Sequence, residues 1–293
     1  MELLWLYQEV YHSQSFESKG LISTNSEIIS KWVYRYRART EKQNFISIHS
    51  QHKRIKELSV NYHSNSMCFI VPKSTSNLTL TGVNRIFWNN LGYNTRRLEI
   101  TGKNSDVIRC PLGTHCESQL EILKIHSPVN EVIYWLPPSL KVFVAPKCQI
   151  NISNAMPELR VIKCKKLNID DGILVPRLSQ ISATFRSTVV LPRLKVLETF
   201  SYLTNFDQFY PNLRELSTLG CPLALTGHQQ LRRIECHEIR PEVIPTFPKL
   251  EYLSVIVLDL TKVAELVDKI PQRVKYQIFT MRQGQKFLLR ERC

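Results

Sequence analysis

Apolar residues recur along this chain on two length scales. Over short stretches they follow apolar-x-x-apolar-x-apolar, as in Leu120-x-x-Leu123-x-Ile125, Leu159-x-x-Ile162-x-Cys164, Leu194-x-x-Leu197-x-Thr199, Leu231-x-x-Ile234-x-Cys236 and Leu250-x-x-Leu253-x-Val255. Ile55-x-x-Leu58-x-Val60 fits the same frame upstream, and Leu78-x-Leu80 and Leu98-x-Ile100 fit its second half. The last three positions alternate with a period of two, which predicts a short strand with one buried face. On the longer scale the frame restarts at 55, 75, 95, 120, 140, 159, 178, 194, 213, 231 and 250, about every 19.5 residues. Such a repeat predicts one short strand per step, stacked on the last.

A second signal marks each restart. Proline stands two places before the leucine in Pro138-Ser139-Leu140, Pro157-Glu158-Leu159, Pro176-Arg177-Leu178, Pro192-Arg193-Leu194, Pro211-Asn212-Leu213 and Pro248-Lys249-Leu250; Gln229-Gln230-Leu231 is the exception. Proline fixes φ near −65° and carries no backbone N–H, so it belongs in the turn entering a strand. A strand this short cannot bury its own apolar face, and stacking in parallel gives each one a hydrogen-bonded neighbour. In the frame counted from each leucine, positions 1, 4 and 6 should point inward and positions 3, 5 and 7 outward.

This pattern resembles the leucine-rich repeat family over residues 50–260. The phrase Leu136-Pro137-Pro138-Ser139-Leu140-Lys141 is also similar to the proline-led repeats of FNIP-type proteins of amoebae and their large DNA viruses, and to short repeats of some bacterial effectors. The resemblance implies an α/β leucine-rich-repeat solenoid with a parallel concave sheet, irregular convex loops and helical N- and C-terminal caps. The chain departs from the family at its asparagine position, which here holds Lys103, Cys148, Leu167, Arg186, Tyr202, Cys221 and Ile239. The expected organisation is a helical N-terminal cap over 1–50, about eleven repeats over 51–260, and a helix–strand cap with a basic tail over 261–293.

Open ends of a repeat stack expose core and need covering. Leu3, Leu4, Leu6 and Tyr7 suggest one short helix; Ile28, Ile29, Trp32, Val33 and Tyr36 suggest a second, capped by Asn25 or Ser26. The Leu-Pro opening of an F-box is not present in this segment. Thr261 to Ile270 reads as a helix started by Thr261, and Val274, Tyr276 and Ile278 alternate as a closing strand. Arg282 to Cys293 is a basic tail, tucked or frayed.

Composition narrows the chemistry. At 43% hydrophobic the chain can bury a core, and no apolar run reaches the roughly 18 residues of a membrane helix. The first residues carry Glu2 and Glu9 and no basic stretch, which argues against a secretory signal and for a cytoplasmic, reducing compartment, with a viral particle as the other setting considered. Only 9 glycines in 293 residues, with no P-loop and no dinucleotide fingerprint, count against phosphate-cradling enzymes. The 8 cysteines form no Cys-x-x-Cys pair. Cys110, His115 and Cys116 could supply three metal ligands but lack a fourth nearby. Cys164 and Cys236, at position 6, read as small buried hydrophobes. Asn77 and Asn151 match a glycosylation pattern that would need a secretory route. The 8 histidines are scattered, and no triad is evident. The expectation is a protein without catalytic residues, cofactor or small-molecule substrate.

The net charge of +14 makes nucleic acid the first partner to weigh. Along the outward positions, however, Arg97, Lys124, Lys163, Lys165 and Arg233 alternate with Glu57, Glu99, Glu198, Glu215 and Glu235. A phosphate-tracking surface would carry one sign. Outward apolar residues stand out instead: Ile122, Val142, Val144, Val161, Val196, Phe200, Leu219, Tyr252 and Ile256. Apolar side chains where a strand face should be polar mark protein contacts. The predicted function is a scaffold or adaptor that binds another protein through its concave face. The alternative is a structural component of a virion or ribonucleoprotein particle, docked through basic surfaces.

Overall fold

In the computed structural model, the described residues are 35–40, 45–47, 56–62, 68–70, 74–81, 86–87, 94–101, 108–109, 119–126, 132–133, 136–185, 189–200, 206–219, 228–283 and 285–293. The chain is a parallel β-solenoid with few helices, divided into two units, Met1–Leu159 and Arg160–Cys293.

In the first unit the ladder strands are β1 (Arg35–Thr40), β3 (Glu57–Tyr62), β5 (Asn77–Thr81), β7 (Arg97–Thr101), β9 (Ile122–Ile125) and β10 (Val142–Ile152). Each pairs in parallel with the next, in the register of the repeat frame: Leu58 beside Leu78, Leu78 beside Leu98, Leu98 beside Leu123, Leu123 beside Phe143. Between them lie β2 (Phe45–Ser47) with β4 (Cys68–Ile70), and β6 (Ile86–Phe87) with β8 (Ile108–Arg109), two further short parallel pairs. The non-strand side of this unit is therefore more regular than the expected loops. β10 runs eleven residues because it turns a corner: Ala145 is buried, Pro146 and Lys147 are exposed, and Cys148 is buried again. Past that corner its backbone bonds to Ile133, whose N–H donates to the Gln149 carbonyl at 3.0 Å.

The N-terminal segment differs from the expected helical cap. Tyr36, expected at the end of the second helix, lies instead in the strand β1 (Arg35–Thr40), paired with β3 at Tyr36 beside Leu58. The ladder offers a backbone partner for every residue, whereas an isolated short helix is marginal. Leu3 to Val33 lie outside the described residues.

The second unit holds β11 (Val161–Ile169), β12 (Gln180–Phe185), β13 (Val196–Thr199), β14 (Glu215–Thr218), β15 (Arg233–Cys236), β16 (Tyr252–Ile256) and β17 (Lys275–Arg282), again parallel and in frame. A short helix α1 (Phe206–Phe209) and a 3-10 turn at Pro241–Thr246 lie between strands. A second 3-10 turn, Leu260–Lys262, leads into helix α2 (Val263–Lys269), close to the helix expected from sequence. Asp259, rather than Thr261, caps the 3-10 turn that precedes it: its carboxylate accepts from the Thr261 backbone N–H at 3.0 Å and from the Thr261 hydroxyl at 2.6 Å. The basic tail is tucked in, forming β18 (Gln285–Arg292) antiparallel to β17 through a two-residue link. Gln283 in that link has φ 49°, as a tight hairpin turn demands.

The frame explains the core. Position 1 leucines 120, 140, 159, 178, 194, 213, 231 and 250 are buried, as are the position 4 residues from Leu58 to Tyr276. Cys164 and Cys236 are buried at position 6, the latter between Thr218 and Val255. The prolines occupy the second residue of a β-turn, where their fixed φ is favoured. In these turns the leucine N–H donates three residues back: Leu140 to Pro137, Leu159 to Met156, Leu178 to Val175, Leu194 to Leu191, Leu213 to Tyr210 and Leu250 to Phe247. The first residue of every such turn is buried. Where proline is missing, His228 takes that place, 1% exposed. The Gln230 N–H donates to its Nδ1 at 3.3 Å, so Nε2 carries the hydrogen and donates to the Tyr210 carbonyl at 3.1 Å. Hydroxyls tie rung to rung: Ser76, Ser139 and Ser179 donate to the carbonyls of Lys56, Leu120 and Arg160.

Candidate functional site on the outward strand face

Because inward and outward residues alternate along every strand, equal frame positions on neighbouring strands line up as rows. In the first unit Ile122 lies beside Val142, and Val144 lies beside Lys124. All three apolar residues are half-buried, a small group rather than a broad surface. Its other neighbours are charged. Glu99 lies beside Lys124, accepts from Arg97 at 3.4 Å and meets the His126 ring at 3.0 Å. Partial burial alone would raise the Glu99 pKa, but the His126 and Arg97 hydrogen bonds and the Lys124 charge hold it below its ordinary value.

In the second unit the position 3 row reads Val161, Gln180, Val196, Glu215, Arg233, Tyr252 and Lys275. Val161 and Val196 are thus separated by Gln180, and Val196 faces Glu215 on its other side. Tyr252 is already engaged: the Arg233 guanidinium stacks over its ring at 4.4 Å, and its hydroxyl donates to Gln277 at 2.8 Å. Glu235 accepts from Arg233 Nε at 3.0 Å, and this hydrogen bond raises the Arg233 pKa further. The position 5 row is polar throughout: Lys163, Ser182, Glu198, Ser217, Glu235, Ser254 and Gln277.

Position 7 is different. Thr199 pairs with Thr218, Thr218 with Cys236 and Cys236 with Val255, so the residues that follow, Phe200, Leu219, His237 and Ile256, stand side by side. Ile256 pairs with Phe279, and Phe279 with Leu288. The row Phe200, Leu219, His237, Ile256, Phe279, Leu288 runs across six neighbouring chain segments, the first three residues immediately after their strands and the last three within theirs. Phe200 is 62% exposed, Leu219 45% and Leu288 48%. The Lys286 ammonium sits 3.7 Å over the Phe279 ring, and His237 is the polar member of an otherwise apolar row.

Of the nine residues singled out from sequence, Phe200, Leu219 and Ile256 fall in this row; Ile122, Val142 and Val144 form the first-unit group; Val161, Val196 and Tyr252 stand among polar neighbours. Phe279 and Leu288 were not anticipated. The alternation of Tyr276 and Ile278 does turn Phe279 outward, so that signal was present; the pairing of β18 was not readable. Cys110, His115 and Cys116 lie outside the described residues. No described helix is long and apolar enough to cross a membrane. Comparison with protein-family models, curated proteins and solved structures found no match for this chain.

Proposed function

We propose that this protein is a non-enzymatic binding scaffold of the leucine-rich-repeat type, and that its partner protein covers the outward row Phe200, Leu219, His237, Ile256 and Phe279. The observation that carries this reading is the row itself, apolar on both sides of His237. Apolar residues on the solvent side of a parallel sheet add nothing to the core beneath it, and exposed apolar surface gathered in one place is characteristic of docking sites. The mixed, mutually paired charges of the other rows suit a polar rim. The proline-led turns and the apolar frame support the repeat class, and α2 before β17 supports a helix-bearing C-terminal cap.

The test is photo-cross-linking from native extract with the probe at Leu219, repeated in a Phe200→Asp/Ile256→Asp variant. Both side chains point away from the core, so the variant should fold normally and lose the cross-linked protein. A partner retained by the folded variant would defeat the assignment. A partner released at about 0.5 M salt would favour docking through basic surfaces instead.

A further inference from the structure

We propose that β18 is a strand-accepting edge that pairs with an extended acidic segment of another protein. Among the described strands β18 bonds to β17 alone, so its other edge presents unpaired backbone donors and acceptors. Every residue from Gln285 to Glu291 is exposed, including Phe287 at 44%, Leu288 at 48% and Leu289 at 40%. An edge strand with no second partner among the described strands and three consecutive exposed apolar residues is a template for another strand.

Charge decides the occupant. From Lys275 to Cys293 the hairpin carries Lys275, Arg282, Lys286, Arg290 and Arg292 against Glu291 alone. Neither Lys286 nor Arg290 forms an ion pair among the described residues; Lys286 lies over the Phe279 ring at 3.7 Å and Arg292 over the Tyr276 ring at 4.9 Å. A second copy fits poorly. Two-fold antiparallel pairing centred on Leu288 sets Lys286 against Arg290; centred on Leu289 it sets Lys286 against Arg292; centred on Arg290 it opposes that residue to itself; only the register centred on Phe287, with Lys286 against Leu288, avoids a like-charge pair, and it leaves the cations of both copies uncompensated. Like charges directly opposite destabilise a strand pair. A segment with apolar residues at its centre and carboxylates at its ends satisfies both the Phe287–Leu289 stretch and the flanking cations.

The test uses the full chain and a fluorescein-labelled synthetic peptide with a valine-rich centre and glutamates at both ends. Saturable binding is expected by anisotropy, with the lysine-ended counterpart weaker by about tenfold or more. N-methylation of one alternate set of peptide nitrogens should abolish binding while the other set is tolerated, the signature of a one-sided ladder. Lys286→Glu with Arg290→Glu should reverse the preference between the two peptides. Phe200→Asp should leave peptide binding unchanged, which separates this site from the position 7 row. The proposal is overturned if both N-methylated forms bind equally, or if phosphatidylserine vesicles bind and the peptide does not. It is equally overturned if the chain sediments as a dimer that Leu288→Pro dissolves.

Discussion

Leu197 offers the sharpest test of the inward and outward assignment. It is 0% exposed and sits in register between Ile181 and Leu216, while its chain neighbour Glu198 faces outward. Leu197→Ala removes three buried carbons, about 2.4 kcal/mol of transfer free energy at about 0.8 per methylene. The rungs on both sides are backbone-bonded and cannot close fully around the gap, so a cavity cost brings the total to about 3–4 kcal/mol. Glu198→Ala should stay within about 0.5 kcal/mol. With a urea dependence of about 2 kcal/mol per molar, the Leu197→Ala midpoint should fall by about 1.5–2 M while that of Glu198→Ala barely moves. Far-UV circular dichroism in a urea titration reads both. Because a slip of one residue exchanges the two faces of a strand, comparable shifts for the two variants would refute the frame itself.

Three further outcomes are expected. Pro192→Ala should lower stability by about 0.4–1 kcal/mol, measurable as a drop in Tm, because proline at the second turn residue restricts the unfolded chain without losing a native hydrogen bond. His228→Leu should cost about 1–3 kcal/mol by leaving the Gln230 N–H and Tyr210 carbonyl without their ring partner, whereas His126→Leu at the exposed surface should cost under about 1 kcal/mol, compared by thermal unfolding. Glu99 has a folded-state pKa below its ordinary 4.5, so its contribution is present above that value and is lost as pH falls through the lower folded value. The stability gap between the protein and Glu99→Gln, at most about 1 kcal/mol at pH 7, should therefore close in acid when followed by urea titration at pH 7 and about pH 3.

The strands that follow the proline-led turns, from Leu140 onward, were legible because two independent constraints coincide there. The leucine of each frame must seal a layer, and the proline before it must avoid the sheet, so a register error would break both patterns at once; at Ile55, Thr75, Thr95 and Leu120 only the alternating apolar residues marked the strand. β1 was less legible because Val33-x-x-Tyr36-x-Ala38 fills the frame without a leucine, and its Ile28, Ile29, Trp32, Val33 and Tyr36 approach also satisfies helical spacing. The alternation Arg35, Arg37, Arg39 is the discriminating sign of a strand. The corner in β10 was hidden for another reason. Pro146 and Lys147 look like a strand end, yet the backbone continues to Ile152 because Ile133 lies within reach of its second half.

The site was only half legible, and the cause is geometric. A list of outward apolar residues does not say which of them touch; adjacency follows from pairing, and pairing from neighbours some nineteen residues away. Val196 is as outward as Phe200, but Gln180 and Glu215 flank it, while Phe200 has Leu219 at its side. Position along the strand matters as well. Residues at positions 3 and 5 have occupied rows on either side and are mostly half-buried by them, as Val161 and Val196 are. Position 7 begins the strand's exit and has a neighbouring row on one side only, so Phe200 and Leu219 keep most or nearly half of their surface free. Under the proposed reading a docking partner would gain more from Phe200 and Leu219 than from equally apolar residues two or four places earlier, so substitutions at Phe200 and Leu219 should weaken binding more than substitutions at Val161 or Val196.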